Sequence, residues 1–125
     1  MSVDRTSKLI AIIDDDEAMQ DSLRDLMEAA GLVAQCFGSA EEFLASDLRT
    51  QAACLIVDIR MPKMSGLQLQ TTLKEEECNI PIIFITAHGD ARMRIRAMRD
   101  GAVEFLAKPF EHHLLLKRVR AALDV

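Results

Sequence analysis

The chain has 125 residues, half of them hydrophobic and 28% charged, with a net charge of −5. That length suits one domain around one core, and that composition excludes a fibre or a disordered tail. The acidic balance argues against a nucleic-acid-binding face on this domain, and no apolar run nears the roughly 20 residues of a membrane span. The opening segment from Met1 to Lys8 has no apolar centre of the signal-peptide kind, so the cytoplasm is the expected compartment. Cys36, Cys54 and Cys78 share no metal-type spacing and read as reduced thiols rather than disulfides or a zinc site.

Short apolar runs alternate with helical patterns along the whole chain. Leu9 to Ile13 predicts a first strand, and it runs straight into Asp14, Asp15, Asp16 and Glu17. Met19, Leu23, Leu26, Met27 and Ala30 follow helical spacing, and Gly31 closes that first helix. Leu32 to Phe37 predicts a second strand, and Ser39 with Glu42 forms a capping box for a short second helix. Ala53 to Val57 predicts a third strand ending at Asp58, and Ser65 caps a third helix from about Gly66 to Glu77. Ile82 to Ile85 predicts a fourth strand ending at Thr86, followed by a fourth helix from about Ala91 to Asp100 that stops at Gly101. Val103 to Ala107 predicts a fifth strand ending at Lys108-Pro109, and a fifth helix runs from about Glu111 to Leu123.

Strict alternation with continuous apolar strands predicts an α/β fold: a doubly wound, five-stranded parallel sheet with helices on both faces. In such sheets ligands bind beyond the carboxyl ends of the strands, at the topological switch point. The residues at those ends are therefore the candidates. The first strand supplies Asp14, Asp15 and Asp16, the third Asp58, the fourth Thr86 and the fifth Lys108, while the second supplies only Gly38. A lone Asp after a strand is ordinarily a turn residue. Carboxylates, a hydroxyl and an ammonium on one sheet edge together suit Mg2+ and a phosphoryl group.

These residues resemble the receiver domain of bacterial two-component response regulators. The likeness runs from about Lys8 to Leu123 and rests on four segments in order: Ile13 to Asp16, Leu55 to Gly66, Ile85 to His88, and Phe105 to Phe110. It implies a flavodoxin-like receiver fold with strand order 2-1-3-4-5. It further implies that Asp58 accepts a phosphoryl group from a phosphohistidine on a sensor histidine kinase. Asp14, Asp15, Asp58 and the backbone carbonyl of Arg60 would ligate Mg2+, with Asp14 acting largely through water. Lys108 would pair with a phosphoryl oxygen, and Thr86 would move toward the group as the Phe105 ring turns inward. The Lys108-Pro109 bond would be cis, aiming the lysine into the site. The run Asp14-Asp15-Asp16 holds two possible acidic pairs; the likeness favours Asp14 with Asp15, leaving Asp16 to serve the positive start of the first helix. Arg60 and His88, each two residues beyond a site residue, flank the path of attacking water and are candidates for tuning phosphoryl lifetime, although a solvated loop histidine explains His88 equally well. His112 and His113 read as surface residues.

In the fourth helix Ile95 and Met98 are spaced to face the core, while Arg92, Arg96 and Arg99 share an outward stripe. That stripe is either a solvated face or a contact surface. Receivers often dimerise or hold an output domain through helix 4, strand 5 and helix 5, and the stripe could pair with Asp100 or Glu104 of a second copy. The whole chain reads as one receiver domain over residues 1–125, without an output domain. Its wording is most similar to the FixJ-like subgroup, whose members often carry a C-terminal DNA-binding helix-turn-helix, so control of transcription is the expected outcome. The alternatives are a stand-alone receiver acting as a phosphate relay or binding module, and an unphosphorylated pseudo-receiver. An aspartate-nucleophile phosphatase would need a second Asp where Arg60 stands, so no turnover enzyme on external substrates is expected beyond the domain's own phosphorylation and dephosphorylation.

Overall fold

The computed structural model describes residues 8–87 and 91–124. Five strands and five α-helices alternate: β1 (Leu9–Ile13), α1 (Glu17–Ala29), β2 (Val33–Phe37), α2 (Ala40–Ala45), β3 (Ala52–Asp58), α3 (Gly66–Glu75), β4 (Ile82–Thr86), α4 (Ala91–Arg99), β5 (Glu104–Ala107) and α5 (His112–Leu123). A short 3-10 turn over Asp47–Thr50, which the apolar pattern does not signal, links α2 to β3. The sheet is parallel throughout, in the order β2-β1-β3-β4-β5.

Two-residue periodicity in the strands divides the core into two layers. Ile10, Ile12, Cys54, Ile56, Ile83 and Ile85 point to the side covered by α1 and α5, where Leu23, Met27, Leu115, Val119 and Leu123 pack on them. Ala11, Ile13, Leu55, Val57 and Phe84 point to the other side, against Phe43, Leu69, Leu73 and Ala97 of α2, α3 and α4. β1, β3 and β4 are buried almost along their length, as a sheet covered on both faces requires.

Helix ends follow local chemistry. Asp16 caps α1 by accepting hydrogen bonds from the amides of Ala18 and Met19. Ser65 and Gln68 make a complete capping box at α3. At α2 the box is only half formed: Ser39 Oγ accepts from Glu42 N, but Glu42 Oε1 accepts from Gly38 N, one residue earlier. Gly31 and Gly101 take left-handed φ values of 81° and 103° just beyond α1 and α4, as the C-terminal glycines predict.

One expectation fails. Ile95 and Met98 do not face the core; they are 64% and 37% exposed. Met93 and the fully buried Ala97 face the sheet instead. A small alanine lets α4 approach closely, and the Gln70 amide donates to the Ala97 carbonyl at 3.0 Å from α3. Arg92, Arg96 and Arg99 are exposed, as their spacing predicts.

Candidate functional site

The site grows out of the switch point between β1 and β3. Asp14 follows β1, and its amide donates to Phe37 O of β2, continuing the sheet one residue beyond the strand. Its side chain has no solvent exposure. Oδ1 accepts from the Asp16 amide at 2.9 Å, and the Gln20 side chain of α1 donates to the Asp14 carbonyl at 2.7 Å. Asp58 is the last residue of β3, 8% exposed, with Oδ1 accepting from the Arg60 amide at 3.3 Å. Asp15 is exposed at the mouth. One carboxylate oxygen from each of Asp14, Asp15 and Asp58 lies within 4.8 Å of the others.

Lys108 directly follows β5, and its bond to Pro109 is cis. Its Nζ sits 3.5 Å from Asp14 Oδ2 and 3.6 Å from Asp58 Oδ2, so one ammonium serves two carboxylates. Thr86 ends β4 and is fully buried. The Phe105 ring points inward into the α3–α4 core layer.

The electrostatics are those of a crowded anionic pocket. Burial pushes the Asp14 carboxyl above its ordinary range, with the Asp58 charge adding to it; the Asp16 amide and Lys108 pull the other way. Burial likewise pushes Asp58 up, helped by Asp15 and opposed by Lys108 and the Arg60 amide. Three hard oxygen donors, two of them with ionised forms penalised by burial, suit a hard divalent cation such as Mg2+.

The structure therefore brings Asp14, Asp15, Asp58, Thr86 and Lys108 to one edge of the sheet. Asp16 is engaged with the start of α1 instead. The Arg60 amide touches Asp58, and its side chain is exposed. His88 lies outside the described residues. His112 and His113 are exposed on α5, and the three cysteines are free thiols.

Two positioning residues escaped the sequence reading. Gln20 has no sequence signal, because its role depends on the angle of α1 against β1. Gly66 stood in the segment after Asp58, but its reason is spatial. A Cβ there would lie 2.6 Å from the Asp58 carbonyl oxygen and 3.0 Å from Ile59 Cα. Its amide donates to Ile59 O at 2.9 Å.

A parallel sheet of order 2-1-3-4-5 with acids, a buried hydroxyl and a lysine at its carboxyl edge defines a receiver-type signalling domain. The response regulator receiver domain profile matches residues 10–120, and the chain belongs to that family. It is 49% identical over 122 residues to the response regulator protein TodT of Pseudomonas putida, covering 98% of this chain and 53% of that protein. The structure of the response regulator StyR superposes with a TM-score of 0.86 at 44% identity, over 94% of this chain and 59% of that one. The crystal structure of FixJ-N superposes with a TM-score of 0.84 at 36% identity, over 99% of this chain and 96% of that one. The chain is thus a FixJ-like receiver and spans about half the length of the curated relatives it matches. Receivers as a class are phosphorylated on an aspartate, generally bind Mg2+ and work with sensor histidine kinases; they are signalling domains rather than a catalytic family. Among the described residues no helix is long and apolar enough to cross a membrane.

Proposed function

We propose that Asp58 is the phosphoacceptor of this receiver and that phosphorylation resets the surface formed by α4, β5 and α5. The observation that carries the reading is the convergence of three carboxylate oxygens within 4.8 Å with Lys108 Nζ 3.5 to 3.6 Å from two of those residues. Asp14, Asp15, Asp58 and the Arg60 carbonyl would hold Mg2+. When bound, the ion neutralises the carboxylates and the incoming phosphoryl oxygens.

One Asp58 oxygen attacks phosphorus, and a P–O bond forms as the P–N bond of the donor phosphohistidine breaks. The electron pair leaves on the imidazole nitrogen, which takes up a proton. Lys108, already poised between two anions, binds an oxygen of the transferred group, and the Thr86 hydroxyl donates to another. Asp14 stays buried and fixed by the Asp16 amide and Gln20, so the pocket needs little rearrangement. Phe105 follows Thr86, because the two lie on neighbouring paired strands, with Phe84 paired to Phe105 and Thr86 to Ala107. Arg60 and His88 tune access of water to the acyl phosphate, including the domain's own dephosphorylation.

The output surface carries Arg92, Arg96 and Arg99 beside exposed Ile95 and Met98, which suits a contact with a second copy or an output domain. In this reading residues 1–125 are one receiver domain of a cytoplasmic protein that controls transcription through a DNA-binding domain; the support is that the relatives are about twice as long as this chain and that some are named transcriptional regulatory proteins. Intact-mass spectrometry after incubation with acetyl phosphate tests the reading. Wild type should gain one phosphoryl group only with Mg2+, and Asp58→Asn should gain none. A wild type that takes no phosphoryl group from acetyl phosphate or from phosphorylated kinase would make this a pseudo-receiver.

A further inference from the structure

We propose that Glu104 is a positioning residue for the Phe105 switch, clamping the edge of the sheet to α4 and α5 through Arg94 and Arg118. The proposal rests on the reading of Asp58 and Phe105 given above. β5 is the last strand of the sheet, so part of its backbone has no neighbouring strand to pair with. At Phe105, side chains take both backbone groups. The Phe105 amide donates to Glu104 Oε1 at 3.0 Å, and the Phe105 carbonyl accepts from Arg94 Nη1 of α4 at 3.0 Å.

Glu104 is itself held from both sides. Arg118 Nε of α5 donates to its Oε2 at 3.0 Å, and Arg94 Nη2 lies 4.0 Å from its Oε1. The Glu104 side chain is only 13% exposed, so this carboxylate is more strongly held than an ordinary surface ion pair. One residue thereby joins three elements of the proposed output surface, at the backbone of the switch residue whose ring lies inward in this arrangement. The buried ring of Phe105 and its clamped backbone belong to one arrangement. A group that favours one of two arrangements biases the switch by its differential contacts. The sequence suggested Glu104 as a partner for arginines of a second copy; in this chain its carboxylate already answers to its own arginines.

The test compares wild type, Glu104→Ala, Glu104→Gln and Arg118→Ala. Two quantities are followed: amide hydrogen exchange of Phe105 by NMR, and the rate of Asp58 phosphorylation by acetyl phosphate with Mg2+. Losing one hydrogen bond to a charged group of this kind corresponds to a change of about tenfold or more. Glu104→Ala should speed Phe105 exchange by that factor and slow phosphorylation several-fold, because the inward ring is less populated. Glu104→Gln keeps an oxygen for the Phe105 amide and should restore most of the exchange protection, while Arg118→Ala should shift both readouts less, in the same direction. A purely structural role would lower the melting temperature without changing the phosphorylation rate of the folded chain. An unchanged rate in a folded Glu104→Ala overturns the proposal, and Arg118→Ala decides the matter by the same criterion if Glu104→Ala fails to fold. A wild type that is not phosphorylated at all overturns the Asp58 reading, and the switch with it.

Discussion

β3 and β5 each deliver a charged residue to the same pocket, but they hold it by different means. β3 has seven residues, lies between β1 and β4, and presents Asp58 from a backbone paired on both sides. β5 has four residues, lies at the sheet edge, and is braced by arginines that are themselves 41% to 56% exposed. The acids are thus fixed by the core, while the cation and the aromatic switch ride on an edge. Low local stability is where movement is least costly. A site that must stay still to bind a metal and yet report a phosphoryl group needs both kinds of support.

The largest effect should come from breaking the link between the two halves. Lys108→Ala removes the ammonium shared by Asp14 and Asp58. Loss of one preorganised electrostatic group typically costs about 100-fold or more in rate. The phosphorylation rate with acetyl phosphate should fall by that order, and time courses by intact mass would check it. A drop below about threefold would mean that the acids alone suffice and that the edge contributes only the switch.

A smaller effect tests the rigid half. Gly66→Ala places a Cβ against the backbone of Asp58 and Ile59 and 3.1 Å from Val57 Cγ1. Unlike Gly31 and Gly101, Gly66 is required for space rather than for a left-handed φ. Overpacking against backbone should cost about 1–3 kcal/mol in denaturant unfolding. It should also slow phosphorylation, since Asp58 must shift to make room. Full stability with a slowed rate would sharpen the picture to local displacement; no change in either would show that the α3 start yields easily.

The two halves also differ in how readable they were. Short continuous apolar runs, ended by Asp14, Asp58 and Thr86, signal β1, β3 and β4 directly, because a strand buried on both faces has few other ways to look. The joint placement of Asp14, Asp58, Thr86 and Lys108 then followed from the carboxyl-edge rule for parallel sheets. α4 was misread because its apolar residues are few and split between two faces. Met93 and Ala97 form the inward pair, and alanine carries little hydrophobic signal; Ile95 and Met98 outweigh it in the pattern yet face outward. Contacts such as Gln20 to Asp14 or Glu104 to Phe105 depend on side-chain geometry across elements, which no spacing rule reports.

The smallest effect concerns charge crowding in the metal-free chain. Both Asp14 and Asp58 have carboxyls raised above 3.8 by burial in the fold. For a group raised on folding, the stabilising contribution is present below the unfolded pKa and is lost as pH rises through the folded one. At neutral pH both ionised groups therefore weigh against the fold. Asp58→Asn removes one of them and leaves Lys108 its partner Asp14, so without metal the variant should be more stable than wild type. The gain should shrink as pH falls through the raised range and be largely gone below 3.8. Denaturant midpoints measured in chelator across this range would check it. Mg2+ should then reverse the order. Wild type keeps all three carboxylates and gains RT ln(1 + [Mg2+]/Kd), about 2.7 kcal/mol at a hundred times Kd, whereas the variant loses a charged ligand and gains less. A variant less stable than wild type in chelator would show that Lys108 more than compensates the acids, and the rigid half would then owe its shape to the lysine from the edge.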